Sequence, residues 1–139
     1  MIKTGTPYLF FYDECGDALN YYVDIFGAEI IEKSTFEDVE YMEDESRKDC
    51  IAYASFKLGE SVILANDFLE KKNKEECSTG SQVSIWLELE KNADIKRLEE
   101  KMLATGSKSI TKLEETFWDS LYAKIEDKFG IIWELNAQK

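Results

Sequence analysis

The sequence predicts an α+β fold: two βαβββ modules in tandem, curling their sheets into a half-open barrel with a central cleft. Two observations predict it. The apolar pattern runs strand, helix, glycine and three strands over residues 1–66, then repeats that order over residues 81–139 after a linker at 67–80. Each unit also carries a single helix, which covers one sheet face and leaves the other to be buried or to line something. At 139 residues the two modules make one domain of ordinary size.

Residues 7–12, PYLFFY, are short, aromatic and led by proline, a strand signature. Asp13 offers an N-cap, and Ala18, Leu19, Tyr22, Val23 and Phe26 mark one face of a helix that Gly27 ends. Residues 28–35 form the second strand. Residues 36–49 are rich in Glu and Asp and read as a solvated hairpin tip or mobile loop rather than a metal site. Strands over 50–58 and 61–66 flank a tight Gly59-Glu60 turn. Residues 67–80 are charged and end in Ser-Thr-Gly, as an exposed linker does.

The second module opens with the alternating strand SQVSIWLELE at 81–90. Asn92 or Asp94 caps a helix with Ile95, Leu98, Met102 and Leu103 on one face, and Gly106 ends it. Strands over 109–117, 121–126 and 131–136 complete the repeat, with a turn at 127–130.

Composition narrows the function. A net charge of −12 opposes nucleic-acid binding, which needs clustered Lys and Arg, and suits a cationic ligand or simple solubility. No apolar run approaches the length of a membrane span and no signal peptide is evident, so a cytoplasmic protein is expected. The absence of histidine removes Ser-His, Cys-His and His-metal chemistry. Cys15, Cys50 and Cys77 form no CxxC and no even set, so reduced thiols are expected.

The segments PYLFFYDECGDALNYYVDIFGAEI, YASFKLGES and ETFWDSLYAKIEDKFGIIWEL span nearly the whole chain in order. On them the chain resembles the glyoxalase/bleomycin-resistance/extradiol-dioxygenase, or vicinal oxygen chelate, superfamily, and within it the PhnB-like branch. The resemblance implies a single domain over 1–139, a homodimer and a site in the cleft. Strand alternation then assigns cleft-facing positions: Tyr8, Phe10 and Tyr12; Tyr53 and Ser55; Ser84, Trp86 and Glu88; Ile132 and Glu134.

Metalloenzymes of the superfamily hold a divalent ion with His and Glu, one glutamate lying in a Gly-x-x-x-Glu-Leu context. Gly130-Ile131-Ile132-Trp133-Glu134-Leu135 matches it, which makes Glu134 the carried-over metal ligand or catalytic base. The histidines implied at Tyr53 and near Ser84 are missing. Gly-Asp-Arg-Tyr-Gly is replaced by Asp119-Ser120-Leu121-Tyr122-Ala123, and Asp-Pro-Phe-Gly-His by Asp127-Lys128-Phe129-Gly130-Ile131. No cofactor is therefore expected, a weak Mg²⁺ or Mn²⁺ site at Glu134 and Glu88 being the exception.

Tyr8, Phe10, Tyr53, Ser84, Trp86, Glu88, Trp118 and Tyr122 remain as the ligand-binding set. Three functions compete. The first is a metal-free protein binding a small hydrophobic or cationic molecule. The second is a lyase, isomerase or dioxygenase using a weakly held metal, or Glu134 as base. The third is a dimeric structural or regulatory module.

Overall fold

A computed structural model describes residues 1–41, 44–70 and 80–139. The chain divides into two compact units, Met1–Ser78 and Thr79–Lys139. The first contains β1 (Tyr8–Phe11), α1 (Cys15–Phe26), β2 (Glu29–Thr35), a 3₁₀ turn (Glu45–Arg47), β3 (Ile51–Leu58) and β4 (Ser61–Asp67). The second contains β5 (Ile85–Leu89), α2 (Asn92–Ala104), β6 (Lys108–Glu115), β7 (Ser120–Glu126) and β8 (Ile132–Gln138). Their sheets run β1-β4-β3-β2 and β5-β8-β7-β6. In each, the first strand is parallel to the last and the other pairings are antiparallel. The expected βαβββ repeat is thus present, and each sheet is open, with the first and second strands at its edges.

Alternation sorts the side chains as the sequence implies. In module one, Leu9, Phe11, Ala54, Phe56, Ile63 and Ala65 are buried together with Leu19 and Tyr22 of α1. The Tyr22 ring stacks on Phe56 with centroids 5.8 Å apart. In module two, Ala123, Ile125, Trp133, Leu135 and Ala137 are buried with Ile95 and Met102 of α2. Each helix therefore covers one face of its sheet.

The helix starts differ from expectation. Asp13 does not cap α1: it takes φ 63°, and its carboxylate accepts from Arg47 Nε at 3.0 Å and Nη2 at 2.7 Å. The cap comes from far along the chain, where buried Asp67 accepts the Cys15 backbone N–H at 2.9 Å. Its other oxygen accepts the Ile51 N–H at 2.8 Å, tying helix, β3 and β4 together. On α2 neither Asn92 nor Asp94 caps. Lys91 occupies the cap position without a side-chain hydrogen bond, and Asp94 pairs with Arg97 one turn on.

Two loop expectations change as well. Asp67 belongs to β4, and the Phe68 and Leu69 carbonyls accept from Arg47 at 2.5 and 3.1 Å, so residues 67–69 are part of module one rather than linker. Linker residues 71–79, Cys77 among them, lie outside the described residues. In the acidic segment Phe36 and Arg47 are buried, with the guanidinium 5.0 Å from the Phe36 ring centre. That segment is anchored, not merely solvated; Met42 and Glu43 within it lie outside the described residues.

Candidate functional site

On β5, Ile85, Leu87 and Leu89 align with Trp133, Leu135 and Ala137 of β8, the side that α2 covers. Trp86 and Glu88 must then point the other way, opposite Glu134 and Asn136. The antiparallel register brings Tyr122 of β7 beside Asn136, and Lys124 beside Glu134. Three neighbouring strands so collect two carboxylates and two aromatic rings on the sheet face away from α2.

Trp118 reaches this face from the β6–β7 turn. That turn is tied by Thr116, whose backbone N–H donates to the Ser120 carbonyl at 3.0 Å and whose hydroxyl accepts from the Ser120 N–H at 3.1 Å. Asp119 completes it in the left-handed region, at φ 59°. The Trp118 indole N–H donates to Asn136 Oδ1 at 3.0 Å.

Both carboxylates are held by neutral donors. Ser84 donates to Glu134 Oε2 at 2.5 Å and Tyr122 to Oε1 at 2.5 Å. Glu88 accepts from the Trp86 indole at 3.0 Å and from Asn136 Nδ2 at 3.0 and 2.9 Å. Desolvation pushes the Glu134 carboxyl upward, but the Ser84 and Tyr122 hydrogen bonds and the Lys124 charge outweigh it and hold its pKa below the ordinary value. The Tyr122 phenol is pushed well up by desolvation, by its bond to Glu134 and by the Glu134 and Glu114 charges. The pair is therefore carboxylate and neutral phenol at physiological pH. The rings form a run: Trp86 to Tyr122 with centroids 6.0 Å apart, Tyr122 to Trp118 5.7 Å, and Trp118 to Phe117 4.9 Å.

Ser84, Trp86, Glu88, Trp118, Tyr122 and Glu134 are thus brought together. Tyr8, Phe10 and Tyr53 belong to module one. There Tyr8 stacks on Phe10 at 4.9 Å, and Phe10 on Phe68 at 5.5 Å, on the sheet face away from α1. Tyr53 pairs with Ser34 across β2 and β3, and its charge, with that of Cys15, adds to desolvation in raising the Tyr8 phenol. Asn136 was missed in the sequence, although it sits two residues after Glu134 and shares its face. Lys124 follows from the same alternation on β7.

The superfamily resemblance implies a divalent metal, and the donor set does not fit one. Both Glu134 oxygens already accept hydroxyl hydrogens. Among the described residues no three of His, Cys, Asp and Glu converge, so a closed protein-ligand set of the structural Zn²⁺ kind is not present there.

A family model described as 3-demethylubiquinone-9 3-methyltransferase matches residues 3–136. Protein YjdN of Escherichia coli K12 is 28% identical over 144 residues, covering 96% of this chain and 95% of YjdN. The solved structure of a putative 3-demethylubiquinone-9 3-methyltransferase, PhnB protein, from Bacillus cereus superposes with a TM-score of 0.79 at 19% identity, covering 97% of this chain and 99% of that one. A glyoxalase/bleomycin resistance protein/dioxygenase family enzyme from Burkholderia phytofirmans gives 0.68 at 16% identity, with 95% of each chain covered. The repeat, the fold and the full-length match agree: the chain belongs to the family described as 3-demethylubiquinone-9 3-methyltransferase, and it shares its fold with the PhnB protein and with the glyoxalase/bleomycin resistance protein/dioxygenase family enzyme.

Proposed function

We propose that this protein binds a small hydrophobic or cationic molecule on the aromatic, acidic sheet face of module two, without a catalytic metal. The observation that carries the reading is the pairing of two carboxylates, held by neutral donors, with the exposed rings of Trp86 and Trp118. Glu134 supplies fixed negative charge, with Lys124 its neighbouring cation. Aromatic faces attract cations by about 0.5–2 kcal/mol each, and the net charge of −12 favours the approach of a cation. The aromatic residues Tyr8 and Phe10, with Tyr53, on module one offer a second apolar surface. We further read the chain as a cytoplasmic homodimer, which light scattering tests by mass.

The experiment is a thermal shift and Trp fluorescence titration of chelator-stripped protein with quaternary ammonium compounds and their neutral isosteres. Cations are expected to raise the melting temperature by mass action and the isosteres to do so less. Glu134→Gln should remove the difference while leaving the fold intact. A rise with Mg²⁺ or Mn²⁺ that disappears in Glu134→Gln would overturn the reading in favour of a metal-dependent enzyme.

A further inference from the structure

The charged end of the site accounts for Trp86, Tyr122, Glu88 and Glu134. It does not account for Phe117, which is 97% exposed at the β6–β7 turn. A lone exposed apolar residue is ordinary, but Phe117 is neither alone nor loosely placed. Its ring meets Trp118 edge-on with an interplanar angle of 89°. Trp118 is pinned through Asn136, whose amide in turn holds Glu88. The Thr116–Ser120 hydrogen bonds fix the turn beneath it, and the Lys139 N–H donates to the Asp119 carbonyl at 3.2 Å. Trp86 and Trp118 are also 47% and 43% exposed, so the rings continue from the carboxylates, past Tyr122 with Glu114 across from it, to an exposed apolar pair at the hairpin tip.

We infer that module two takes a two-part ligand: a monovalent cationic head against Glu134 and Glu88, and an extended apolar tail laid along Tyr122, Trp118 and Phe117. The proposal rests on the binding reading above and adds the shape and polarity of the molecule. Charge complementarity fixes which end goes where. The carboxylates take the cation, and the tail covers rings that water now wets. Phe117 is the residue that sets how long a tail is rewarded.

The probes are alkyltrimethylammonium ions from tetramethyl to octyl, each below its micelle concentration, titrated calorimetrically. In the unaltered protein affinity should climb with chain length, by up to about threefold to fourfold for each methylene fully buried, and then level off. In Phe117→Ala the octyl-to-tetramethyl affinity ratio should fall several-fold, and Phe117→Leu should restore much of it. A ratio unaltered in Phe117→Ala overturns the proposal, as does a change in the light-scattering mass of that variant without a change in ratio, which would make Phe117 a contact between copies. Should Phe117→Ala lose its native circular dichroism, Phe117→Leu and Phe117→Gln, which keep side-chain bulk, carry the comparison. Failure of the underlying reading looks different: tetramethylammonium would then show no preference over its neutral isostere and no loss in Glu134→Gln.

Discussion

Tyr122 donates its hydroxyl hydrogen to Glu134 across 2.5 Å, from the neighbouring strand of the same sheet. The bond favours the ionised carboxylate and the neutral phenol together, adding to desolvation in raising the phenol and to the Ser84 hydrogen bond in lowering the carboxyl.

Removing that donor should undo part of the separation. Tyr122→Phe is expected to raise the Glu134 pKa, and Ser84→Ala, which strips the other oxygen, should act in the same direction. Carboxyl carbon chemical shifts followed through an acid titration read this directly. A Glu134 titration identical in all three proteins would show that the hydrogen bonds do not set its charge.

The same shift has a stability consequence with a definite sign. The folded pKa of Glu134 lies below its unfolded value, so the ionised group adds stability above the ordinary carboxylate range and loses it as pH falls through the folded value. Urea denaturation of wild type and Glu134→Gln should therefore show a gap that is widest near neutrality and closes below about pH 4. A gap that widens on acidification contradicts the assignment.

Much of this was legible in the chain because alternation and helix periodicity are local signals. They placed Trp86, Glu88 and Glu134 on the face away from α2, and Trp133 and Leu135 beneath the helix. What stayed hidden depends on partners distant in sequence. Residues 36–49 read as an acidic loop, yet Arg47 within them is buried, because Asp13, 34 residues away, and the carbonyls of Phe68 and Leu69 receive it. Asp67 looked like the first residue of a linker, and nothing nearby announces that it caps α1 from 52 residues away. Asn136 carries no charge to draw the eye, although alternation places it beside Glu88.

Asp67 tests whether that long-range cap is needed. Desolvation raises its carboxyl pKa, opposed by the hydrogen bonds from Ile51 and Cys15. Asp67→Asn keeps one acceptor and turns an amide N–H₂ toward the other backbone donor. One buried N–H is left unpaired, which should cost about 1–3 kcal/mol in urea denaturation. A cost within about 0.5 kcal/mol of zero, the range of ordinary surface changes, would mean that water or a local shift replaces the lost bond.

The thiols give a chemical readout of the same region. Cys15 is fully buried, and desolvation, with the Asp67 and Cys50 charges, pushes its pKa far up. Cys50 is pushed to about 11, by desolvation first and then by Asp13 and Asp67. At pH 8 a thiol with that pKa is ionised about one part in a thousand, against about one quarter for a free cysteine. The more basic thiolate is the better nucleophile, which recovers about tenfold. Native Cys50 should therefore react with iodoacetamide at least about tenfold more slowly than a cysteine peptide, and Cys15 only after unfolding. Peptide mass spectrometry resolves each site. Cys50 labelling at the free-thiol rate would show that its carboxylate surroundings open in solution, and with them the Asp67 tie between α1 and β3.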